Sequence, residues 1–164
     1  MDDITTPKTP VSQPFKRRTF SWRRALVIVG VLTLLALIYR GFINMSLIQA
    51  AKEGDLQQTA LLLNMGASVN VVDESVTPLM NAAHSGNLKL VELLVSRGAD
   101  VNMHDYLGYT PLMNAASDGN VGITQFLLAH NADINAKSSE GQTALMQAAE
   151  NNHPKIVQLL SAAH

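Results

Sequence analysis

The chain has 164 residues, 47% of them hydrophobic, and its formal net charge at pH 7 is −1. The charge is unevenly divided, because residues 1–43 carry seven Lys and Arg against two Asp, whereas residues 44–164 carry five basic and eleven acidic residues. The acidic C-terminal part argues against binding to nucleic-acid phosphates, and the absence of Cys excludes disulfides and thiolate chemistry.

Residues 1–22 form a basic N-terminal tail that shows no apolar period. The tail contains three Pro and many hydroxyl side chains. Such a composition cannot bury enough apolar surface to fold. We therefore predict a disordered tail.

An uncharged apolar run of fifteen residues, 25–39, follows the tail. Fifteen residues are few for a bilayer, which needs about 20. Two further apolar residues lie beyond Arg40, however, and the long Arg side chain can reach the headgroups. Aromatic residues stand at both ends of the run, where they can anchor it at the two interfaces. We predict a transmembrane signal-anchor helix over residues 23–43.

Two other interpretations of this run remain. Its length is at the upper limit of a cleaved signal peptide, but neither residues 39–41 nor residues 44–46 make a good cleavage site of small residues. A buried core helix is the second alternative. The run has no polar face, and the chain shows no second core that would cover it.

The charges on either side of the run predict its orientation. Five Lys and Arg lie within residues 16–24, whereas Arg40 and Lys52 follow the run. The more positive side stays in the cytoplasm, so residues 44–164 should lie outside it. Residues 17–20 also resemble the core of a twin-arginine export signal, although the residues after them do not continue the pattern, so this export route stays open.

The rest of the chain is repetitive. The motif Thr-Pro-Leu-Met-Asn-Ala-Ala begins at Thr77 and at Thr110, and a variant begins at Thr143, with steps of 33 residues. A second motif, Gly-Ala-Asp-Val-Asn at residues 98–102, recurs at residues 131–135 with Asn in place of Gly and Ile in place of Val. A fixed period of this length is typical of stacked repeats.

Each unit carries the signals of a helix–turn–helix. Thr110 can cap a first helix through its hydroxyl, and Pro111 is tolerated at the first helical position. Apolar residues at helical spacing then predict two helices, and the Ala pair lets neighbouring helices approach closely. Gly66, Gly98 and Asn131 stand just after the second helix, where a left-handed residue is needed to close it.

These motifs resemble the repeats of the ankyrin-repeat family in the Thr-Pro-Leu start, the Ala pair and the Gly-Ala-Asp-Val-Asn segment. The domain 44–164 would hold four repeats, at about 45–73, 74–105, 106–138 and 139–164. The resemblance implies an all-α ankyrin-repeat solenoid, with a helix-turn-helix and a hairpin finger in each repeat. Here the solenoid would be preceded by a single transmembrane helix.

Two features depart from the family pattern. The His that usually follows Thr-Pro-Leu is replaced by Met80, Met113 and Met146. We expect these Met to fill the core by packing rather than to form a soft-metal site, because they recur on stacked core faces. The first repeat is degenerate, with Met-Ser-Leu at residues 45–47 and a tip without Gly at residues 73–76, as expected of a terminal cap.

The sequence shows no catalytic or metal-binding constellation. Five His are scattered without metal or catalytic spacing, and there is no Gly-rich phosphate loop. Asp100 and Asp133 fit the finger turns, where Asx side chains bond their own backbone. We therefore expect no enzyme activity, no cofactor, no metal and no small-molecule substrate.

What remains is a protein-binding surface, which the resemblance places on the finger tips and the first-helix faces. Tyr106, Leu107 and Tyr109 are the most suggestive group, because two Tyr and a Leu exceed what a turn requires. The equally weighted alternative is that the rings pack on neighbouring tips. The predicted protein-binding residues are Val76, His84, Ser85, His104, Tyr106, Leu107, Tyr109, Ser117, Asp118, Lys137, Gln142, Glu150 and Asn151.

We expect a non-catalytic ankyrin-repeat module that binds an unidentified protein. Only residues 41–44 separate the predicted span from the first repeat, and four residues reach at most about 14 Å, so the partner should be membrane-bound or membrane-proximal. We expect a single-pass protein of a bacterial inner membrane with its N-terminus in the cytoplasm and its ankyrin domain in the periplasm, where the lack of Cys also fits. The alternatives are a passive stabilising subunit of a membrane complex and a secreted host-directed ankyrin factor.

Overall fold

The computed structural model describes residues 22–73 and 76–163. The predicted tail, apart from Trp22, lies outside the described residues, and so do the two tip residues 74 and 75. The described chain divides into two compact units between residues 35 and 36. Within the described residues there are eight α-helices and no strand, and one isolated bridge joins Asp73 to Val76.

Helix α1 runs without a break over Trp22–Glu53, a length of 32 residues. The first unit consists of its N-terminal part, in which the side chains of residues 26–35 are all exposed. Residues 41–44, expected to separate the span from the first repeat, are helical instead. The helix contains no Pro to break it, and a Gly at position 41 costs only about 1 kcal/mol relative to Ala.

The second unit contains the rest of α1 and seven shorter helices, which form four helix pairs in sequence order. The C-terminal part of α1 pairs with α2, and α3–α4, α5–α6 and α7–α8 follow. From α3 onwards first helices contact first helices, and from α2 onwards second helices contact second helices. The shorter helices are α2 (Leu56–Asn64), α3 (Pro78–His84), α4 (Leu88–Ser96), α5 (Pro111–Ser117), α6 (Val121–Ala129), α7 (Ala144–Glu150) and α8 (Pro154–Ala162).

The helix boundaries follow from local chemistry. Thr77, Thr110 and Thr143 each cap a first helix, their hydroxyl oxygens accepting from the backbone N–H three residues on at 3.2, 3.3 and 3.3 Å. Each of the first three second helices is followed closely by a residue with positive φ, which is Gly in the first two repeats and Asn131 (φ 64°) in the third. The predicted caps and the substitution of Asn for Gly are confirmed.

The core runs through all four repeats. Leu90, Ile123 and Ile156 hold the same position in successive second helices and are almost completely buried. Met80 and Met113 are buried too, which confirms their predicted packing role. Met146 differs, because 48% of it is exposed. Among the described helices α7 contacts α5 and α8, whereas α5 is packed between α3 and α7, so Met146 has less to pack against.

A smaller apolar cluster holds the first repeat together. Ile43 and Leu47 of α1 are buried against Leu62 of α2. A polar contact reinforces this packing, because the Asn44 side-chain oxygen accepts from the Ser68 backbone N–H at 2.9 Å. The last part of α1 therefore belongs to the first repeat.

Asn side chains link successive repeats at the base of the fingers. The Asn70 side chain donates to the Gly98 carbonyl (3.2 Å) and accepts from the Asp100 N–H (2.9 Å). Asn102 makes the same two bonds one repeat later, at 3.1 and 2.8 Å. One amide thus satisfies two backbone groups of the following repeat.

Candidate protein-binding surface

The ends of the first helices carry a row of the predicted residues. His84 Nδ1 of the second repeat lies 2.8 Å from Asp118 Oδ2 of the third. The Asn151 side chain of the fourth repeat donates to the Ser117 hydroxyl of the third at 3.1 Å. The structure therefore brings four predicted residues together as two pairs, and each pair joins neighbouring repeats.

Ser85 and Glu150 lie at the same ends of their helices and bond within their own repeats. The Ser85 hydroxyl donates to the Ala82 carbonyl at 3.0 Å. Glu150 accepts from the Gln142 side chain at 3.2 Å, which joins the fourth finger to the first helix of that repeat. These polar groups orient one another while remaining in contact with water.

The pair of His84 and Asp118 resembles an acid–base couple only in composition. The His84 side chain is 73% exposed and that of Asp118 is 29% exposed. Water therefore reaches both groups, whereas general acid–base catalysis depends on a positioned and partly shielded group. The pair acts as a contact between two repeats.

The finger tip of the third repeat is held by a residue that the sequence reasoning missed. Asp105 Oδ1 accepts from the backbone N–H groups of Leu107 (2.9 Å) and Tyr109 (2.8 Å). Gly108 has φ +79°, and a Cβ there would lie 3.0 Å from Ser138 Cα, so only Gly fits. An Asp that precedes Tyr-Leu-Gly is a signal for an Asx turn, and it could have identified this residue.

The three tip side chains have different environments. Tyr106 is 74% exposed and Leu107 is 39% exposed. Tyr109 is half-buried and packs against the main core. Tyr109 therefore packs, although on the core rather than on a neighbouring tip, whereas Tyr106 and Leu107 face solvent. The Leu107 carbonyl also accepts from the Ser139 N–H at 2.7 Å, which ties this tip to the next one.

The remaining predicted residues lie along the fingers. Val76 is half-buried and pairs with Asp73 through two backbone bonds of 3.1 and 2.8 Å. His104 is exposed, and its Nδ1 lies 3.0 Å from the Asp105 carbonyl oxygen. His104 and the exposed Lys137 line a shallow cleft of about 240 Å³ between the second and third repeats.

The resulting surface combines an exposed aromatic tip, a polar cleft and a polar row of helix ends. Protein-binding hot spots are enriched in Tyr, and here an exposed Tyr stands on a backbone held by hydrogen bonds. No group of three or more His, Asp or Glu in residues 22–73 and 76–163 is placed to hold a metal ion. The arrangement suits contacts with another macromolecule.

Comparison with protein families matches the chain to a family model described as ankyrin repeats (three copies). It covers residues 47–138 and 102–164. These ranges include every predicted protein-binding residue and seven of the eight helices, with the end of α1. No curated protein matches the chain.

Proposed function

Because the chain belongs to the ankyrin-repeat family, we propose that it is a membrane-anchored protein-binding module of a bacterial inner membrane. Ankyrin repeats suggest a role in protein–protein interaction, and such domains are typically non-catalytic. The membrane anchor, the orientation and the binding residues are the parts that we add.

The exposure of α1 supports the anchor. The helix is long and apolar enough to cross a membrane, and only 6% of its most apolar window of 18 residues is buried. A core helix of a soluble protein would be covered by other elements, so this alternative is disfavoured. A lipid bilayer would cover these side chains without a protein partner.

The continuity of α1 supports an uncleaved anchor rather than a removed signal peptide. A cut at residues 44–46 would separate Ile43 and Asn44 from the first repeat. Ile43 is 2% exposed in the cluster with Leu62, and Asn44 accepts from Ser68. Removing them would expose apolar surface and leave a backbone N–H without its bond.

The orientation rests on charge. Five Lys and Arg lie within residues 16–24, and Arg40 and Lys52 follow the apolar run. We propose that the N-terminus is cytoplasmic and that the repeats face the periplasm. The partner would be a membrane-bound or membrane-proximal protein of that compartment.

The tip of the third finger is the proposed centre of partner binding, and the observation that carries this is the exposure of Tyr106. The ring is 74% exposed, while its backbone is fixed by the Asp105 side chain and by the bond from Ser139 to Leu107. A preorganised aromatic side chain loses little conformational entropy on binding, so it can contribute strongly to affinity.

Photocrosslinking in membranes tests this assignment. A photoreactive residue at Tyr106 in the full-length chain should give a discrete adduct with one protein. The same residue at Gln125, which is exposed on the second helix of the same repeat, is the matched control. Leu107→Asp introduced beside the probe should reduce the adduct about tenfold or more, because it places a charge in the contact.

Equal adducts at Tyr106 and Gln125, or an adduct that ignores Leu107→Asp, would contradict the assignment of the tip. Association that persists despite changes at the tip would favour the alternative of a passive stabilising subunit. Recovery of the chain free of its anchor outside the cell would favour a secreted factor instead.

A further inference from the structure

The turn that follows α2 lies beside α1, close to the end of the apolar run. Within the second unit, α2 runs back along the last part of α1, and Leu62 near its end packs on Ile43. The Ser68 backbone N–H then donates to the Asn44 side chain at 2.9 Å. The turn after α2 is therefore level with Asn44, four residues beyond Arg40, which ends the apolar run.

This level falls within the headgroup layer of the bilayer that α1 is proposed to span. Arg40 marks the edge of the hydrocarbon, because its long side chain can reach the headgroups. Four residues of α-helix rise about 6 Å. The polar layer of each leaflet is about 5 to 8 Å thick. The turn after α2 therefore lies at the depth of the lipid phosphates.

The exposed turns at this end of the repeats contain no acidic residue. We define the proximal edge as the three turns that follow α2, α4 and α6, residues 64–66, 96–98 and 129–131, all of them exposed. It includes Arg97 and His130. At the opposite end, where the first helix of each repeat turns into the second, stand four acids: Glu53, Asp55, Asp118 and Glu150. The proximal edge is thus the end of the helices that anionic lipids repel least.

Two side chains of the proximal edge suit a lipid surface. Met65 is 45% exposed at the C-terminal cap of α2. Arg97 Nη1 donates to the Asn64 side-chain oxygen at 2.9 Å, which holds the guanidinium beside that cap. A guanidinium has five N–H donors, and within residues 22–73 and 76–163 Arg97 forms no salt bridge. Its remaining donors can bind a phosphate.

We propose that the proximal edge rests on the phospholipid headgroups of the bilayer, with Met65 inserted among them and Arg97 bound to a lipid phosphate. An exposed apolar side chain beside a basic one is the combination by which protein surfaces bind membrane interfaces. The contact continues the lipid contact of α1 onto the repeats, and it rests on the membrane anchor proposed above. It would hold the repeats at the membrane surface.

Fluorescence quenching in vesicles tests this contact, because the chain has no Cys and a single label can be placed at will. A fluorophore on Met65→Cys reports on the proximal edge. Gln58→Cys is the matched control, since Gln58 is exposed on the same face of α2 but about 10 Å farther along the helix. The full chain is reconstituted in vesicles of phosphatidylcholine and phosphatidylglycerol, with a nitroxide on the choline headgroup. The nitroxide should quench the label at Met65 at least about threefold more than that at Gln58.

A third label separates failure of the contact from failure of the anchor. Leu32 is 60% exposed in the apolar run, and a label on Leu32→Cys should be quenched by a nitroxide on the acyl chain. Equal headgroup quenching at Met65 and Gln58, with Leu32 quenched by the acyl-chain nitroxide, would overturn the contact and leave the anchor standing. An unquenched label at Leu32 would overturn both.

A change of charge tests the phosphate contact. Arg97→Gln removes the charge and keeps a side-chain N–H for Asn64, and Lys89→Gln, at the exposed other end of α4, is the matched control. Arg97→Gln should lower the headgroup quenching at Met65 at least about twofold, and Lys89→Gln should leave it unchanged. Unchanged quenching in Arg97→Gln, or an equal fall in the two variants, would overturn the assignment of Arg97 to a lipid phosphate.

Discussion

Asn side chains, rather than charged pairs, make the recurrent polar contacts between repeats. Asn87 and Asn120 each donate to a carbonyl of the preceding repeat at 3.1 Å, while Asn70 and Asn102 bind the following one. A neutral amide can satisfy backbone groups without the desolvation cost of a charge. In the described part of the chain the contact between a basic and an acidic side chain is that of His84 with Asp118, and His84 is exposed.

Replacing Asn102 with Ala should destabilise the array by about 1 to 2 kcal/mol, because two hydrogen bonds to the next repeat are lost together. Asn135 holds the equivalent position one repeat later and is exposed, and no such pair of bonds forms there within residues 22–73 and 76–163. Asn135→Ala should change the free energy of unfolding by less than about 0.5 kcal/mol. Urea unfolding of the full chain in mild detergent measures both values.

An equal loss for the two Asn variants would mean that the amides act within their own fingers. A loss confined to Asn102 would assign the stability to the contact between repeats.

Single residues were predictable from sequence where their role is local. Thr110 as a cap and Asn131 as a left-handed residue depend on the next few residues of the chain, and both predictions are confirmed. Asp105 was not predicted, although the turn sequence after it carries the signal of an Asx turn. The pairing of His84 with Asp118 joins two repeats, and nothing local specifies it.

At the scale of elements, the same sequence motif forms helices α3, α5 and α7, which have different surroundings. Met80 in α3 and Met113 in α5 are covered by the following repeat, whereas Met146 in α7 is 48% exposed. The sequence predicted one role for the three Met residues, because a repeated motif does not specify which neighbouring repeats each copy will have. Position in the stack decides the energetic weight of each side chain.

Met113→Ala should therefore cost about 2 to 5 kcal/mol, the range for emptying a packed core site. Met146→Ala should cost less than about 1 kcal/mol, because half of the side chain is already in water. Thermal unfolding followed by circular dichroism compares the two variants. Similar losses would show that the fourth repeat is as well covered in solution as the third.

Residues 41–44 of α1, between the apolar run and the first repeat, show what an apolar pattern can and cannot predict. The length and composition of the run predicted a helix, and the structure has one. The continuation through residues 41–44 was not predicted, because it depends on contacts of Ile43 and Asn44 with the first repeat. These contacts lie between distant parts of the chain and leave no periodic signal.

At the scale of the whole molecule, repetition made the fold predictable and left the binding partner undefined. A period of 33 residues predicts stacked helix pairs, the described residues form them, and the ankyrin-repeat family model matches residues 47–138 and 102–164. The proposed recognition depends instead on exposed side chains such as Tyr106, which are free of the packing rules that fix the core. The candidate surface could be named from its position in the repeat, but the chemistry of its ligand could not.

The most direct test is a topology measurement on the full chain in a bacterial host. Alkaline phosphatase, which is active in the periplasm, or a fluorescent protein that matures in the cytoplasm is fused after His164, and membranes are then extracted with carbonate. We expect phosphatase activity, no fluorescence and a chain that stays in the carbonate-resistant membrane fraction, because the basic residues precede the apolar run. Fluorescence without phosphatase activity, or release of the chain by carbonate, would contradict a membrane-anchored array that faces the periplasm.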